Sequence, residues 1–259
     1  MLSKSTQLGE LGIDAIAIKP SKVDISTVEQ VSTPYLVIDF EGVDHLPRTS
    51  TVEALAEDSE VVMTAPIRAD GFDPLGDDTL LRSYGDLVTF AFVAGHPAYL
   101  NRSEVPRAVA PRLTGALDRF GDALVGTEGI ERLALTTGAP QYELLSRSTA
   151  AEVRGLRRMG FDGEVFVYAP LAVSEDEDLL LDTLGSYVSR RSVVANRLSD
   201  GVPTDRHASG STREILLDAI TEYTIAGSDH EVRKRVDALK RAGIDAVVAH
   251  PALGLDRVD

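Results

Sequence analysis

The sequence predicts an α/β fold of the TIM type, a (β/α)8 barrel with a helical excursion before its last strand. Three observations predict this fold: β-type runs recur along the chain, most of them are continuously apolar, and helix starts separate them. Continuous apolar runs are typical of parallel strands that are covered on both faces. About eight such runs in 259 residues match the barrel in size and strand count.

The candidate strands are short runs rich in branched and aromatic residues. They span residues 13–18, 35–40, 61–67, 87–93, 123–127, 142–146, 164–171 and 244–250, and residues 223–226 could form a short extra strand. A doubly wound sheet is the alternative architecture. The first strand, however, is not followed by G-x-G-x-x-G, and the chain contains no P-loop motif.

Helix starts are indicated by the capping-box pattern, in which Ser or Thr is followed three residues later by Glu. The pattern begins at Ser26, Ser50, Thr149, Ser174, Ser211 and Ser228. The last of these helices is the clearest, since it presents Val232, Val236 and Leu239 at helical spacing and stops at Gly243.

We expect one barrel domain over residues 1–259, with a helical excursion at residues 175–220. That segment contains a predicted long helix at about 175–198, a polar loop and a second helix, with no strand between them. The excursion would lie between the last two barrel strands.

The composition is acidic, with 41 Asp and Glu against 26 Lys and Arg and a net charge of −15. A nucleic-acid partner is not expected, because phosphate contacts need a basic stripe and none is visible. An acidic surface with few lysines favours a halophilic, salt-rich cytoplasm, where salt screens the repulsion between like charges. An ordinary acidic cytosolic protein is the alternative.

Several reaction classes and locations are excluded or made less probable by the composition. The absence of Cys excludes disulfides, thiolate catalysis and Cys-ligated metals. No apolar run approaches the ~18–20 residues of a membrane span, and no signal peptide is visible, so we expect no membrane partner and a cytoplasmic location. The five histidines show no close-spaced pair, so we predict no metal site.

In a barrel, functional side chains follow the C-terminal ends of the strands. Three of them are the leading catalytic candidates: His96, Asp39 and Arg68. His96 lies on a constrained Gly-His-Pro turn and is suited to proton transfer near neutral pH. Asp39 could share a site with Glu41 or pair with an arginine, and Arg68 could clamp a ligand or belong to a structural turn. Other strand-end candidates are Lys19, His45, Asp70, Thr127, Glu128, Tyr168 and His250.

The segment Ser146, Arg147, Ser148 and Thr149 joins a strand end to a helix start. Free N–H groups and the positive end of the helix dipole favour an anion at such a turn. We therefore consider these residues a candidate phosphate site, with plain capping by Thr149 as the alternative. Gly227 and Ser228 form a similar but weaker candidate.

Residues 146–250 resemble the luciferase-like flavin and deazaflavin oxidoreductases, and the methylenetetrahydromethanopterin-reductase-like branch fits best. The resemblance lies in the closing unit YTIAGSDHEVRKRVDALKRAGIDAVVAH, in the strand and acidic helix start VFVYAPLAVSEDED, and in the preceding SRSTAAEVRGLRRMGFDGEV. The closing motif consists of Gly227, Ser228, Val232, Ala242, Gly243, Ile244 and Asp245.

The resemblance implies a (β/α)8 barrel that binds FMN or a deazaflavin coenzyme at its strand ends and transfers hydride to or from a small-molecule substrate. By position, Ser146, Arg147, Ser148 and Thr149 would match the phosphate-binding turn of that family. A homodimer is plausible by the same analogy.

Two other functions remain open at this point. The chain is shorter than the usual member of that family and its N-terminal half carries no alignable motif, which favours a non-catalytic barrel acting as a binding or partner subunit. The other is a barrel lyase or aldolase that acts on a phosphorylated substrate, with Lys19 as the Schiff-base or proton-transfer group.

Overall fold

The computed structural model describes residues 8–23, 25, 33–96 and 99–254. The helix start predicted at Ser26, and Pro97 of the Gly-His-Pro turn, lie outside these residues. The strands are β1 (Ala15–Ile18), β2 (Tyr35–Ile38), β3 (Glu60–Pro66), β4 (Thr89–Val93), β5 (Leu124–Gly126), β6 (Gln141–Leu144), β7 (Val165–Val173), β8 (Ile225–Gly227) and β9 (Ala246–Pro251).

Helices alternate with these strands along the chain. They are α1 (Thr49–Leu55), α2 (Thr79–Tyr84), α3 (Val109–Leu117), α4 (Glu131–Thr137), α5 (Thr149–Arg158), α6 (Glu177–Ser189), α7 (Ser192–Ala195), α8 (Gly210–Tyr223) and α9 (Asp229–Arg241). The fold class is the predicted one, an α/β barrel of the TIM type. The eight predicted strands are β1 to β7 and β9, and β8 is the short extra strand.

The chain divides into two compact units. The N-terminal unit contains Ala15–Leu144 and Gly160–Phe166, and the C-terminal unit contains Leu145–Met159, the residues from Val167 onward and those up to Asp14. The expectation of one domain over residues 1–259 stays a prediction.

In the N-terminal unit, β1 to β6 pair in chain order, and each pairs parallel with the next. The strands are almost wholly buried because their side chains are apolar on both faces. Aromatic rings fill one layer of the core, where Phe120 contacts Phe90 with ring centroids 5.1 Å apart. The parallel register brings the C-terminal ends of β2, β3 and β4 side by side.

In the C-terminal unit, β7 lies between β9 and β8, and Leu171 is in register with Ile225. Helix α9 buries Val232, Val236 and Leu239 at the predicted spacing, and its last turn is followed by Gly243 with φ +104°. A left-handed residue with no Cβ ends the helix there, as predicted.

The helical excursion is present between β7 and β8, but the predicted helix at 175–198 is divided into α6 and α7. The division falls at Arg191, whose backbone is extended with φ −67° and ψ 126°. Its guanidinium lies over the ring of Tyr187 at 4.7 Å and over that of Tyr223 at 5.7 Å. These cation–π contacts stabilise a turn where propensity alone favours continuous helix.

The polar loop of the excursion packs tightly against α6. A Cβ on Gly185 would lie 1.8 Å from the carbonyl oxygen of Thr204, so only glycine permits this approach. Arg206 pairs with Asp182 through its side chain, and its N–H donates to the same carboxylate at 3.0 Å. The excursion is therefore fixed to its first helix by specific contacts.

Most of the predicted capping boxes do not form. The box at Ser228 is complete, with both reciprocal hydrogen bonds to Glu231. Elsewhere the helix begins one or two residues away from the predicted cap, with Arg48 preceding α1, Asp176 preceding α6 and Ser209 preceding α8. Asp176 displaces Ser174 because its carboxylate accepts from two backbone N–H groups of the first turn.

Among the residues that the structure describes, no helix is both long enough and apolar enough to cross a membrane.

Candidate functional site

The predicted site residues fall into two groups, one in each unit. The N-terminal group follows β2, β3 and β4 and includes Asp39, Arg68 and His96. The C-terminal group includes residues 146–149, which follow β6, together with Tyr168 within β7 and His250 within β9.

Asp39 directly follows β2 and is half-buried. Its backbone N–H donates to the carbonyl oxygen of Ile18 at 2.9 Å, and the next N–H, of Phe40, donates to Thr64 Oγ1 at 2.6 Å. Glu41 accepts hydrogen bonds from the N–H and the hydroxyl of Ser21, at 3.0 and 2.5 Å. Glu41 thus holds the loop after β1. The backbone at Asp39 is held by the hydrogen bonds of its own N–H and of the next one, so its side chain starts from a fixed position.

Arg68 follows β3 and its side chain points along the loop that follows β4. Nε donates to the carbonyl of Ala94 at 2.6 Å, Nη2 to that of Gly95 at 2.7 Å, and Nη1 to that of Val105 at 2.7 Å. Each of the three guanidinium nitrogens therefore donates to a backbone carbonyl of the loop that follows β4. All three contacts are those of a residue that stabilises a loop, which is the structural alternative given above for Arg68.

Behind Arg68 lies a buried carboxylate that the sequence analysis did not single out. The side chain of Asp73 is 2% exposed and pairs with Arg107 at 3.2 Å and with Arg112 at 2.9 Å. Its Oδ1 also accepts the N–H of Leu75 at 2.9 Å. Arg107 pairs in addition with Asp70 at 2.7 Å, and this hydrogen bond, more than the surrounding negative charges, raises the pKa of Arg107.

Glu104 is the second buried carboxylate of the N-terminal group, at 5% exposure. Oε1 accepts the N–H of Asp70 at 2.8 Å, and Oε2 accepts the N–H of Asn101 at 2.7 Å. Asn101 Oδ1 accepts the N–H of Glu104 at 3.1 Å in return. The spacing of Asn101 and Glu104 is that of a capping box, and it is the signal by which this loop could have been found in the sequence.

His96 is exposed and lies just beyond β4. The residue before it, Gly95, has φ +87°, and a Cβ there would come within 3.2 Å of both Leu100 and Pro66. The imidazole lies with its centroid 6.4 Å from that of Tyr99, in an edge-on arrangement. The predicted constrained turn is therefore present up to His96.

The turn at Ser146–Thr149 precedes α5 in the C-terminal unit. Thr149 is fully buried and its Oγ1 accepts the N–H of Ser146 at 2.9 Å. The hydroxyl of Ser146 lies 3.0 Å from that of Ser148 and 3.1 Å from that of Thr149. Arg147 is exposed. The turn thus brings three hydroxyls and one guanidinium to the start of a ten-residue helix.

Tyr168 lies in the middle of β7, and His250 is the last residue but one of β9. The carbonyl of Tyr168 accepts the N–H of Leu145 at 2.8 Å, one residue before the turn. The rings of Tyr168 and His250 are nearly parallel, at 12° and with centroids 6.5 Å apart. Both of these strand-end candidates therefore belong to one aromatic pair.

The remaining candidates have mainly local contacts. The carbonyl of Lys19 accepts the N–H groups of Lys22 and Val23, and His45 is exposed at the end of a short 3-10 turn. The N–H of Ser228 donates to Glu231, so the weaker phosphate candidate at Gly227 and Ser228 is used for helix capping. Within residues 8–23, 25, 33–96 and 99–254, no group of three His, Asp or Glu side chains is placed to hold a metal ion.

The fold is an α/β barrel of the TIM type. The structure is similar to that of an F420-dependent secondary alcohol dehydrogenase in complex with an F420-acetone adduct, with a TM-score of 0.59, 13% sequence identity and 92% of each chain covered. At this identity the likeness shows the fold alone. The chain belongs to a family of unknown function, DUF7388, whose model matches residues 8–258. No curated protein matches its sequence.

Proposed function

We propose that this chain binds a deazaflavin or FMN and transfers a hydride to or from a small molecule. The observation that carries the proposal is the hydroxyl-rich turn at Ser146–Thr149, which precedes α5 in a fold shared with an F420-dependent dehydrogenase. The cofactor would supply the redox chemistry, and the chain would bind and orient the cofactor and the substrate.

The residues of the turn fit the phosphate of such a cofactor. Thr149 is buried and holds the N–H of Ser146, so its role is to shape the turn. The hydroxyls of Ser146 and Ser148 bond to each other and can exchange that bond for one to a phosphate oxygen. Arg147 supplies a cationic fork, and the helix N-terminus adds its partial positive charge.

The catalytic candidates His96 and Asp39 both lie in the N-terminal unit. His96 is exposed at a fixed turn, where its imidazole nitrogens can donate or accept a hydrogen bond or a proton. Asp39 lies at the end of β2, where it can accept a hydrogen bond from a substrate hydroxyl. These two side chains remain our catalytic candidates.

The test is a titration of the purified full chain, in molar salt, with FMN and separately with deazaflavin F420, followed by absorbance and fluorescence. We expect one of the two to bind with micromolar affinity. Arg147→Gln should weaken binding by about tenfold or more, because a charge-assisted hydrogen bond to phosphate contributes roughly 1.5–3 kcal/mol. Arg154→Gln is the matched control, since Arg154 is exposed on the same helix. No binding of either compound to folded protein would refute the proposal.

A second function is favoured by one observation in the N-terminal unit. Arg68, Asp73 and Glu104 are engaged with backbone and with other charged side chains, as in a loop scaffold. This favours a barrel that binds a cofactor or partner without turning over a substrate. Cofactor binding with no hydride transfer to any of a panel of small alcohols and carbonyl compounds would support this alternative.

A further inference from the structure

We propose that Arg68 is a positioning residue that fixes the backbone on which His96 stands, and that it does not itself touch a substrate. The inference is carried by contacts within the N-terminal unit. Only the use of His96 for substrate rests on the proposed function.

The guanidinium of Arg68 binds the two peptide groups that lead into His96. Nε and Nη2 donate to the carbonyls of Ala94 and Gly95, at 2.6 and 2.7 Å. Because a guanidinium is planar, its N–H groups fix the directions of both carbonyls together. Nη1 holds the carbonyl of Val105 at 2.7 Å, on the other side of the same loop.

The backbone that enters His96 is conformationally demanding. Gly95 has φ +87°, a region that residues with a Cβ rarely adopt, and a Cβ would also press on Leu100 and Pro66. Glycine itself adopts this φ at little cost and has more conformational freedom than any other residue, so contacts to its peptide group are needed to hold one orientation. The bond from Arg68 to the Gly95 carbonyl is the contact that orients this peptide group.

Arg68 is itself held in place from behind. Its own carbonyl accepts a hydrogen bond from Arg107 Nη1 at 2.8 Å. Arg107 is anchored by the buried carboxylate of Asp73 and by Asp70. A continuous set of contacts therefore runs from a buried charge, through two arginines, to the peptide groups before His96.

A lysine at position 68 could not reproduce this arrangement. Its ammonium group is a single point on a flexible stem, whereas the carbonyls of Ala94, Gly95 and Val105 are bound by three separate nitrogens. Arg68→Lys thus keeps the charge and most of the volume while removing the fork. This variant therefore distinguishes the effect of the Arg68 hydrogen bonds on the backbone from the effect of its positive charge.

The experiment is NMR of the imidazole Cε1–H groups, one for each histidine, in the full chain labelled at histidine. The chain gives five such signals, which single His→Gln variants assign: His45, His96, His207, His230 and His250. We expect Arg68→Lys and Arg68→Gln to shift or broaden the His96 signal and to leave those of His207 and His230 unchanged. Arg102→Gln, an exposed arginine of the same loop, should leave all five unchanged.

Two outcomes would overturn the proposal. One is a His96 signal in both Arg68 variants that is identical to that of the unaltered protein. The other is loss of dispersion of all five signals in Arg68→Lys, which would show that Arg68 supports the whole fold and not His96 in particular. The measurement needs neither cofactor nor substrate, so its failure is distinct from a failure of the proposed function.

Once a turnover assay exists, the same variants separate positioning from substrate contact. We expect Arg68→Lys to lower kcat with little change in KM. In a His96→Gln background, Arg68→Lys should have almost no further effect, because the group that it positions is gone. A full additional loss in the double variant would mean that Arg68 acts on the reaction by itself.

Discussion

The loops after β3 and β4 and the turn after β6 both follow strands of the sheet, yet they use polar side chains in opposite ways. In the N-terminal unit, buried carboxylates and arginines bind one another and the backbone, so these charged side chains hold the loops in place. In the C-terminal unit, the turn is built from small hydroxyls, and Arg147 is exposed beside them. The difference teaches that a dense group of charged side chains at a strand end can belong to the loop scaffold and need not mark a ligand site.

The largest effect should come from the buried carboxylate of the N-terminal unit. We expect Asp73→Asn to lower the free energy of unfolding by about 3 kcal/mol, because it leaves the charges of Arg107 and Arg112 without their buried partner. Urea unfolding at constant salt measures this. Asp70→Asn is the matched control: its side chain is 54% exposed, and the expected loss is under about 1 kcal/mol.

Equal effects of the two substitutions would break the contrast between scaffold and surface. They would show that burial of the Asp73 carboxylate makes no additional contribution to the free energy of unfolding. The structural role assigned to the N-terminal group would then be refuted.

A smaller effect distinguishes two helix starts of the C-terminal unit. Ser228 caps α9 with its side chain, and Ser148 precedes α5 without making such a bond. Ser228→Ala should therefore destabilise by about 1 kcal/mol, and Ser148→Ala by about 0.5 kcal/mol or less. Thermal unfolding of the two variants compares them. A larger loss for Ser148→Ala would mean that the turn before α5 is structural and is not reserved for a ligand.

The strands could be predicted because their signal is local. The predicted run at residues 164–171 has no charged residue after Glu164, and β7 is buried over nearly its whole length. The stop at Gly243 could be predicted for the same reason, since a helix that ends on a left-handed residue requires glycine. Where the determinant lies within a few residues and no neighbouring residue competes for the same role, the sequence is sufficient.

The scaffold of the N-terminal group could not be predicted because its partners are far apart in the chain. Asp73 and Arg107 are separated by 34 positions, and nothing near either residue indicates the other. The sequence likewise groups Arg68 with His96 as a candidate catalytic residue, because both follow barrel strands. In the structure, the nitrogens of Arg68 bind the backbone before His96. The capping pattern fails differently: it marks the region of a helix start, but a neighbouring residue such as Asp176 can take the cap.

The smallest effect concerns the pH dependence of the capping box at the start of α9. Hydrogen bonds from the backbone N–H and the hydroxyl of Ser228 lower the pKa of Glu231 below its ordinary value. A carboxylate with a lowered pKa contributes stability above the unfolded value, near 4.5, and loses it as the pH falls through the folded value. We expect carbon-detected NMR to show Glu231 titrating below the ordinary value of a glutamate. In Ser228→Ala its pKa should rise only part of the way, because the backbone bond, which is the larger cause, remains. A Glu231 that titrates at the ordinary value in the unaltered protein would mean that the box is open in solution, and the contrast with Ser148 would then lose its basis.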